Sequence, residues 1–451
     1  MSKNGAGAGP DTGPDTGQVW AAGVAVDASL GALRVGTLRS DGESIAAFGG
    51  GHVHRFTRSE RALLLAARAG AAPAVRRAGE LVEDISAALM SRLRRVAVIG
   101  FDGPRLVHDP ETGRLVQPGN GALLAEALGV PVVWDLRSAD MKLGGLGAPM
   151  LSCFHFACAR RLGGAQAMAF VHLDATARLS WVDPAADLPF ADRACLGFDA
   201  GPGPQTGPEA GPETGDAAGG TAAGGPAGEG TARAGAREGA RARGQVGEGV
   251  PEKILKARFF HRLPPRLWRD SDEAVVRAAL APLSPEDARM TRRATVAAAV
   301  AEAFAHFPAA PARLLVSGPG RCDDVLLDML RAGTGCAVLR IEEAGLAPAV
   351  AQGAGDAAPD AGADAGADVG ADAGADVGSA GASGGRGSVP GDGDACRGAA
   401  GGAPPGAVFT AQGMAHLAVR VWRGLPTSGP ATTGVAAAVG GGQISRPSGR
   451  F

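Results

Sequence analysis

The segment Val132-Val133-Trp134-Asp135-Leu136-Arg137-Ser138-Ala139-Asp140 places two carboxylates and a guanidinium directly after a short apolar run. Such a run reads as a buried strand, and in open α/β sheets the residues past a strand's carboxyl end face the ligand crevice. Asp135 and Asp140 could accept hydrogen bonds from sugar hydroxyls, and Arg137 could hold a carboxylate in its planar fork. The same residues could instead form a surface ion pair, which contributes little. Next comes Gly144-Gly145-Leu146-Gly147-Ala148-Pro149, leading into an apolar helical stretch. Gly144 and Gly145 let the backbone approach a ligand closely, and Pro149 suits the first turn of a helix. Cys153, His155 and Cys158 lie on that stretch without a second ligand pair. They read as core side chains with free thiols, and no metal site is assigned.

These residues need a frame, and hydrophobic periodicity supplies one. Strands are expected at 20–26, 33–38, 95–100, 130–134, 169–172, 177–182, 194–198, 313–316 and 337–341. Helices are expected at 58–68, 83–94, 121–128, 288–306, 323–331 and 412–423. Strand pairs followed by alternating strands and helices occur twice, which predicts two α/β lobes around a cleft. The first lobe spans 18–150 and the second 151–346, with a closing helix and C-terminal segment over 407–451. Three segments cannot build a core: the tail 1–17 and the Gly/Ala-rich inserts 203–250 and 349–406. Their composition buries too little apolar surface to offset chain entropy, so disorder is expected there.

The chain has 451 residues with a formal net charge of -2, which gives no pull toward nucleic acid or an anionic membrane. The N-terminus lacks the charged-then-apolar pattern of a signal peptide, and no apolar run is long enough to cross a bilayer. Scattered cysteines without a C-x-x-C pair suit a reducing cytoplasm.

Taken in order, the motifs resemble those of one family. Asp135-x-Arg137-x-x-Asp140 followed by Gly144-Gly145-x-Gly147-Ala148-Pro149 is similar to the signature of the anhydro-N-acetylmuramic acid kinases. Ile99-Gly100, His108-x-Pro110 and Gln117-x-Gly119 resemble that family's preceding strand and loops. Phe198-Asp199-Ala200-Gly201-Pro202 resembles its catalytic Asp-Thr-Gly-Pro loop, and Gly424-Leu425-Pro426, Thr433-Gly434 and 439–444 its closing segment. The resemblance covers most of 18–202 and, more thinly, 251–346 and 407–447. It implies an actin-like fold of the sugar kinase type, in which an amino sugar and ATP with Mg2+ meet between two lobes. It implies a cytoplasmic enzyme of cell-wall recycling, and a homodimer. The implied reaction opens a 1,6-anhydro sugar with water while phosphorylating O6. Asp199 matches the general base, a role that suits a carboxylate at a strand end beside a phosphate-admitting turn. Asp135, Arg137, Asp140, Gly144, Gly145 and Pro149 match the sugar side, and Asp27, Ser29, Gly31, Gly201, Gly318 and Gly320 the nucleotide side.

The nucleotide side departs from the family's pattern. Its first loop, Ser-Gly-Thr-Ser-x-Asp-Gly-x-Asp, stands here as 26–34, keeping only Ser29 of the specified positions. Asp27 replaces a glycine where a carboxylate would repel phosphate, and Gly31 replaces the metal-positioning Asp. The second loop loses both glycines in His172-Leu173-Asp174-Ala175-Thr176-Ala177-Arg178. Gly318-Pro319-Gly320 keeps part of a Gly-Gly-Gly turn, Asp323 replaces its following Asn, and Ala415-His416 replaces a Glu-Ala pair. The residues 266–270 replace a Lys-Ser-Thr-Gly-Arg loop. Losing a transition-state donor typically costs ~10²–10³ in rate, so catalysis is expected to be impaired. The alternative is a non-catalytic relative that binds a muramyl sugar as sensor or scaffold.

Overall fold

The computed structural model describes residues 17–204, 244–348 and 403–449. The expected tail and both inserts lie, apart from their edges, outside the described residues.

Two sheets repeat one pattern. In the first, β1 (Val19–Val26), β2 (Ala32–Ser40) and β3 (Ile45–Arg55) form an antiparallel meander. Next to β1, β4 (Val98–Asp102) and then β7 (Val132–Trp134) run parallel. In the second, β8 (Met168–Leu173), β9 (Thr176–Val182) and β10 (Cys195–Pro202) form the meander, and β11 (Arg313–Ser317) and β12 (Ala337–Arg340) add in parallel beside β8. A last strand, β13 (Gln443–Ser445), returns from the C-terminal segment to pair antiparallel with β7. A separate short hairpin joins β5 (Val107–Asp109) to β6 (Arg114–Val116). The fold is the two-lobed actin-like α/β arrangement.

The central strands are buried on both faces, which is why they read as continuous apolar runs rather than alternating ones. Met168 and Phe170 of β8 face the core between the sheets, while Ala169, Val171 and Leu173 face the outer core of the second lobe. Outside the first sheet pack α1 (Arg58–Arg68), α2 (Ala72–Met90) and α3 (Gly121–Leu128). Outside the second pack α8 (Pro285–Ala303) and α9 (Asp324–Thr334). Two helices fill the space between the sheets. They are α5 (Ser152–Arg161), against β9 and β10, and α10 (Phe409–Trp422), across β1, β2 and β4.

Several expected bounds match because the sequence marks them with caps. The side chain of Asn120 accepts from Ala122 N at 2.9 Å to open α3, and Gly129 closes it at φ 64°. Thr57 and Glu60 form a capping box at the start of α1. Other elements went unforeseen. β3 contains Phe48-Gly49-Gly50-Gly51, which hides its alternation, while α6 (Val250–Leu255) and α7 (Asp270–Leu280) carry only a small satellite core around Ile254, Val276 and Leu280. Cys153, Cys158 and Cys195 are free and buried, whereas Cys322 is disulfide-bonded, which the reading of scattered thiols did not anticipate. Among the described residues no helix is long and apolar enough to cross a membrane.

The approach of α10 to the first sheet depends on glycine. A Cβ on Gly23 of β1 would sit 1.8 Å from the carbonyl oxygen of Ala411, and one on Gly100 of β4 would sit 2.2 Å from that of Met414. Backbone cannot yield as a flexible side chain can, so helix and sheet must separate if either glycine gains a side chain. We predict that Gly23→Ala destabilises the protein by about 1–3 kcal/mol or more. Gly50→Ala, at an open position, should change stability by less than about 0.5 kcal/mol. Thermal melts of the two variants beside the native chain check this, and equal melting would contradict the packing.

Candidate functional site

The carboxyl ends of β1 and β4, the β8–β9 hairpin and the starts of α5 and α10 line a cleft between the lobes. Its walls carry an unusual density of charge. Asp27, Asp102 and Asp174 line it together with Arg105, Arg137 and Arg178. Charges withdrawn from water are costly unless paired, so the pairing pattern shows which groups are occupied.

At the end of β4, Asp102 accepts from Arg137 at 2.9 Å and from Gln117 Nε2 at 2.6 Å. Burial works to raise this carboxyl, but Arg137 and Arg105 outweigh it and hold Asp102 below its ordinary value. Arg137 gives its other terminal nitrogen to the carbonyl of Gly147 at 2.8 Å. The guanidinium expected to hold a ligand carboxylate is therefore largely engaged within the protein.

Asp140 is fully buried on α4 (Ser138–Lys142) and does not line the cleft. It accepts from Gly147 N at 2.7 Å and from the hydroxyls of Ser428 and Thr433, each at 2.6 Å. It thus ties the glycine turn to the C-terminal segment. A Cβ on Gly145 would lie 2.1 Å from Asp140 Oδ1, so that carboxylate, rather than a ligand, is what Gly145 makes room for. Gly144 is exposed. Asp135 accepts from Ser138 and, at 2.9 Å, from Gln443 Nε2. It lines a neighbouring depression with Phe101, Gln117 and Trp134 instead of the main cleft. Pro149 does line the cleft, but it precedes α5 rather than sitting in its first turn.

In the second lobe Asp199 of β10 is 2 % exposed. Its Oδ1 accepts from Arg178 Nε at 2.9 Å and its Oδ2 from Trp268 N at 2.9 Å. Arg178, on β9, reaches the cleft, so Asp199 meets the cleft through that guanidinium. Gly201 packs toward Ala299 and Phe260, and Gly318 and Gly320 pack against Leu173 at the β8–β9 hairpin.

The two hairpin tips clasp one another. Asp174, at the β8–β9 turn, accepts from Ala28 N at 2.6 Å and Ser29 N at 3.4 Å in the β1–β2 turn. Its other oxygen is buried without a partner. Asp27 in the same turn is held by both ends of the Arg34 fork, at 2.7 and 2.8 Å. Burial pushes the Asp27 carboxyl above its ordinary value against the pull of Arg34. Gly31, beside it, accepts from Phe56 N at 3.1 Å.

Two charged cleft residues escaped the sequence reading entirely. Asp102 and Arg105 sit in a strand end and an irregular loop, where no periodicity or motif marks them.

Residues 69–206 match the anhydro-N-acetylmuramic acid kinase family. The chain is 38% identical over 433 residues to the anhydro-N-acetylmuramic acid kinase of Cereibacter sphaeroides, covering 96% of this chain and 97% of that one. It is 36% identical to anhydro-N-acetylmuramic acid kinase 1 of Jannaschia sp., with 96% of each chain covered. The chain belongs to the anhydro-N-acetylmuramic acid kinase family. As a member of that family it places its motif residues in two roles. Arg137 and Pro149 line the cleft, whereas Asp140 and Gly145 brace the turn behind it.

The imidazoles around the cleft are neutral. Burial holds His108, His155 and His172 down at about 3, with Arg105 and Arg137 adding to the effect at His108 and Arg178 at His172. Buried His416, on α10, is likewise held at about 3. Above the ordinary value of 6.5 this makes no difference to stability. Below it the unfolded chain takes up protons that the folded chain refuses, so stability falls as pH drops from 6.5 toward 3. Each histidine contributes up to about 1.4 kcal/mol per pH unit. We predict a melting temperature that declines steadily with acidification below pH 6.5 and a shallower decline for His416→Leu. Parallel slopes for the two proteins would contradict the assignment.

Proposed function

We infer that the chain is an ATP-dependent kinase that hydrolytically opens 1,6-anhydro-N-acetylmuramate and phosphorylates O6 in cell-wall recycling, at a reduced rate. The carrying observation is the interlobe cleft, which joins Arg137 and Pro149 of the family signature to Arg178 and, through it, Asp199.

A nucleotide fits the β1–β2 turn, because the amides of Ala28 and Ser29 already hold an anionic oxygen, that of Asp174. Among the described residues no group of three His, Cys, Asp or Glu forms a metal centre. A magnesium ion held chiefly by phosphates and water needs only one or two carboxylates, and the unpartnered Asp174 Oδ1 is available for that. When bound, Mg-ATP supplies the phosphoryl group.

The chain's own residues then divide the work. Asp199 takes a proton from water as the hydroxyl adds to the anomeric carbon. The bond from that carbon to O6 breaks, and O6 accepts the phosphoryl group as ADP leaves. Arg178 holds the Asp199 carboxylate toward the cleft, and each carboxylate oxygen keeps a free lone pair for the proton. The reduced rate follows from the clasp: phosphate must displace Asp174 from the amides of Ala28 and Ser29 before the turn can serve it. That clasp also supports the second reading, a sugar-binding relative without turnover.

A coupled ADP-release assay with 1,6-anhydro-N-acetylmuramate and Mg-ATP tests this reading. Slow, sugar-dependent turnover is expected, with a 6-phosphorylated, ring-opened product, and Asp199→Asn should lower it by about 10²–10⁴. Asp174→Ala should tighten ADP binding measured without metal several-fold. Sugar binding with no turnover would establish the non-catalytic reading, and full activity in Asp199→Asn would remove Asp199 from the mechanism.

A further inference from the structure

The guanidiniums in and beside the cleft are matched by carboxylates with one exception. Arg34 is taken by Asp27, Arg137 by Asp102 and Gly147, and Arg178 by Asp199 and Thr176. Arg105 also lines the cleft, yet it makes no hydrogen bond or ion pair among the described residues. It stands between β4 and β5, half-buried, under the influence of the guanidiniums of Arg137 and Arg178 and the carboxylates of Asp102 and Asp199. Burial and the charges of Arg137 and Arg178 draw it down to about 9, so it remains cationic at neutral pH. Asp102 and Asp199 are each hydrogen-bonded to another arginine, so Arg105, which faces the cavity with no hydrogen bond of its own, is the guanidinium left to take an anion.

We propose that Arg105 is a specificity-determining residue that recognises the carboxylate of the substrate's lactyl ether, selecting a muramic acid over the corresponding N-acetylglucosamine. The proposal rests on the kinase reading above and adds which group distinguishes the sugar. A carboxylate matches the planar fork of Arg105 with two parallel hydrogen bonds. In the same cleft, Met150, Leu151 and Met414 supply apolar lining against which the ether's methyl group can pack. The other anion on offer is a nucleotide phosphate, and the amides of Ala28 and Ser29 suit that better. Arg137 cannot serve as well, because turning to a ligand would break its ion pair with the buried Asp102.

Calorimetry with 1,6-anhydro-N-acetylmuramate, 1,6-anhydro-N-acetylglucosamine and ADP tests the assignment in the full chain. The native protein should bind the carboxylated sugar about ten- to hundredfold more tightly than its neutral counterpart. Arg105→Gln should abolish that preference while leaving affinity for the neutral sugar and for ADP unchanged. Arg105→Lys should restore part of it, since the charge returns without the fork. A native protein that binds both sugars equally overturns the proposal without recourse to any variant. So does an Arg105→Gln protein that keeps its preference, or one that loses ADP instead. If the native protein binds neither sugar, the kinase reading itself fails and takes this assignment with it.

Discussion

Charge buried between two sheets must be answered, and that requirement organises this molecule. Asp102, Asp27 and Asp199 each lie at or near the end of a sheet strand, and each faces an arginine a few angstroms away. Such pairs are weak sources of net stability compared with apolar packing, but removing one partner typically costs about 3–5 kcal/mol. They therefore fix conformation more than they add stability. The Arg137–Asp102 pair holds the carbonyl of Gly147, and so the glycine turn, against the end of β4. The Arg178–Asp199 pair locks β9 to β10 at the position where their register shifts.

The lobes are joined by means of different chemistry. Between the sheets, α5 and α10 contribute an aromatic cluster in which Phe154 and Phe409 lie with ring centres 4.8 Å apart. Close backbone approach at Gly23 and Gly100 seats α10 on the first sheet. The C-terminal segment then closes the structure, with Ser428 and Thr433 on Asp140 and β13 on β7. Polar contacts also cross between the lobes: Arg161 donates to the carbonyls of Ile45 and Ala46, Arg269 pairs with Glu111, and at the hairpin tips Asp174 accepts from the amides of Ala28 and Ser29. The clasp at the tips, made of two hydrogen bonds, can open far more readily than an aromatic core.

Much of the frame was legible in the sequence because its signals are local. Apolar runs marked β4, β7, β8 and β11, and Asn120 with Gly129 bounded α3 to the residue. The site was legible only in part. The motif placed Asp135, Arg137 and Asp140 together on the sugar side, and its order along the chain gave the family. What each side chain does depends on partners far away in sequence. Asp140 serves Ser428 and Thr433, Asp135 serves Gln443, and Asp27 is matched by Arg34 across a hairpin. No spacing rule announces such partners. Arg105 is the converse case, conspicuous only once every other cleft guanidinium is seen to have an acceptor.

Every cleft guanidinium but Arg105 is paired with a carboxylate of the protein, and Arg105 is left for the ligand. A crystal structure of the complex with 1,6-anhydro-N-acetylmuramate tests it most directly. The account predicts the sugar between the lobes, its carboxylate about 2.7–3.1 Å from Arg105, and the Arg137–Asp102 pair intact. A carboxylate seated on Arg137 with Asp102 displaced, or a sugar bound outside the cleft, would contradict it.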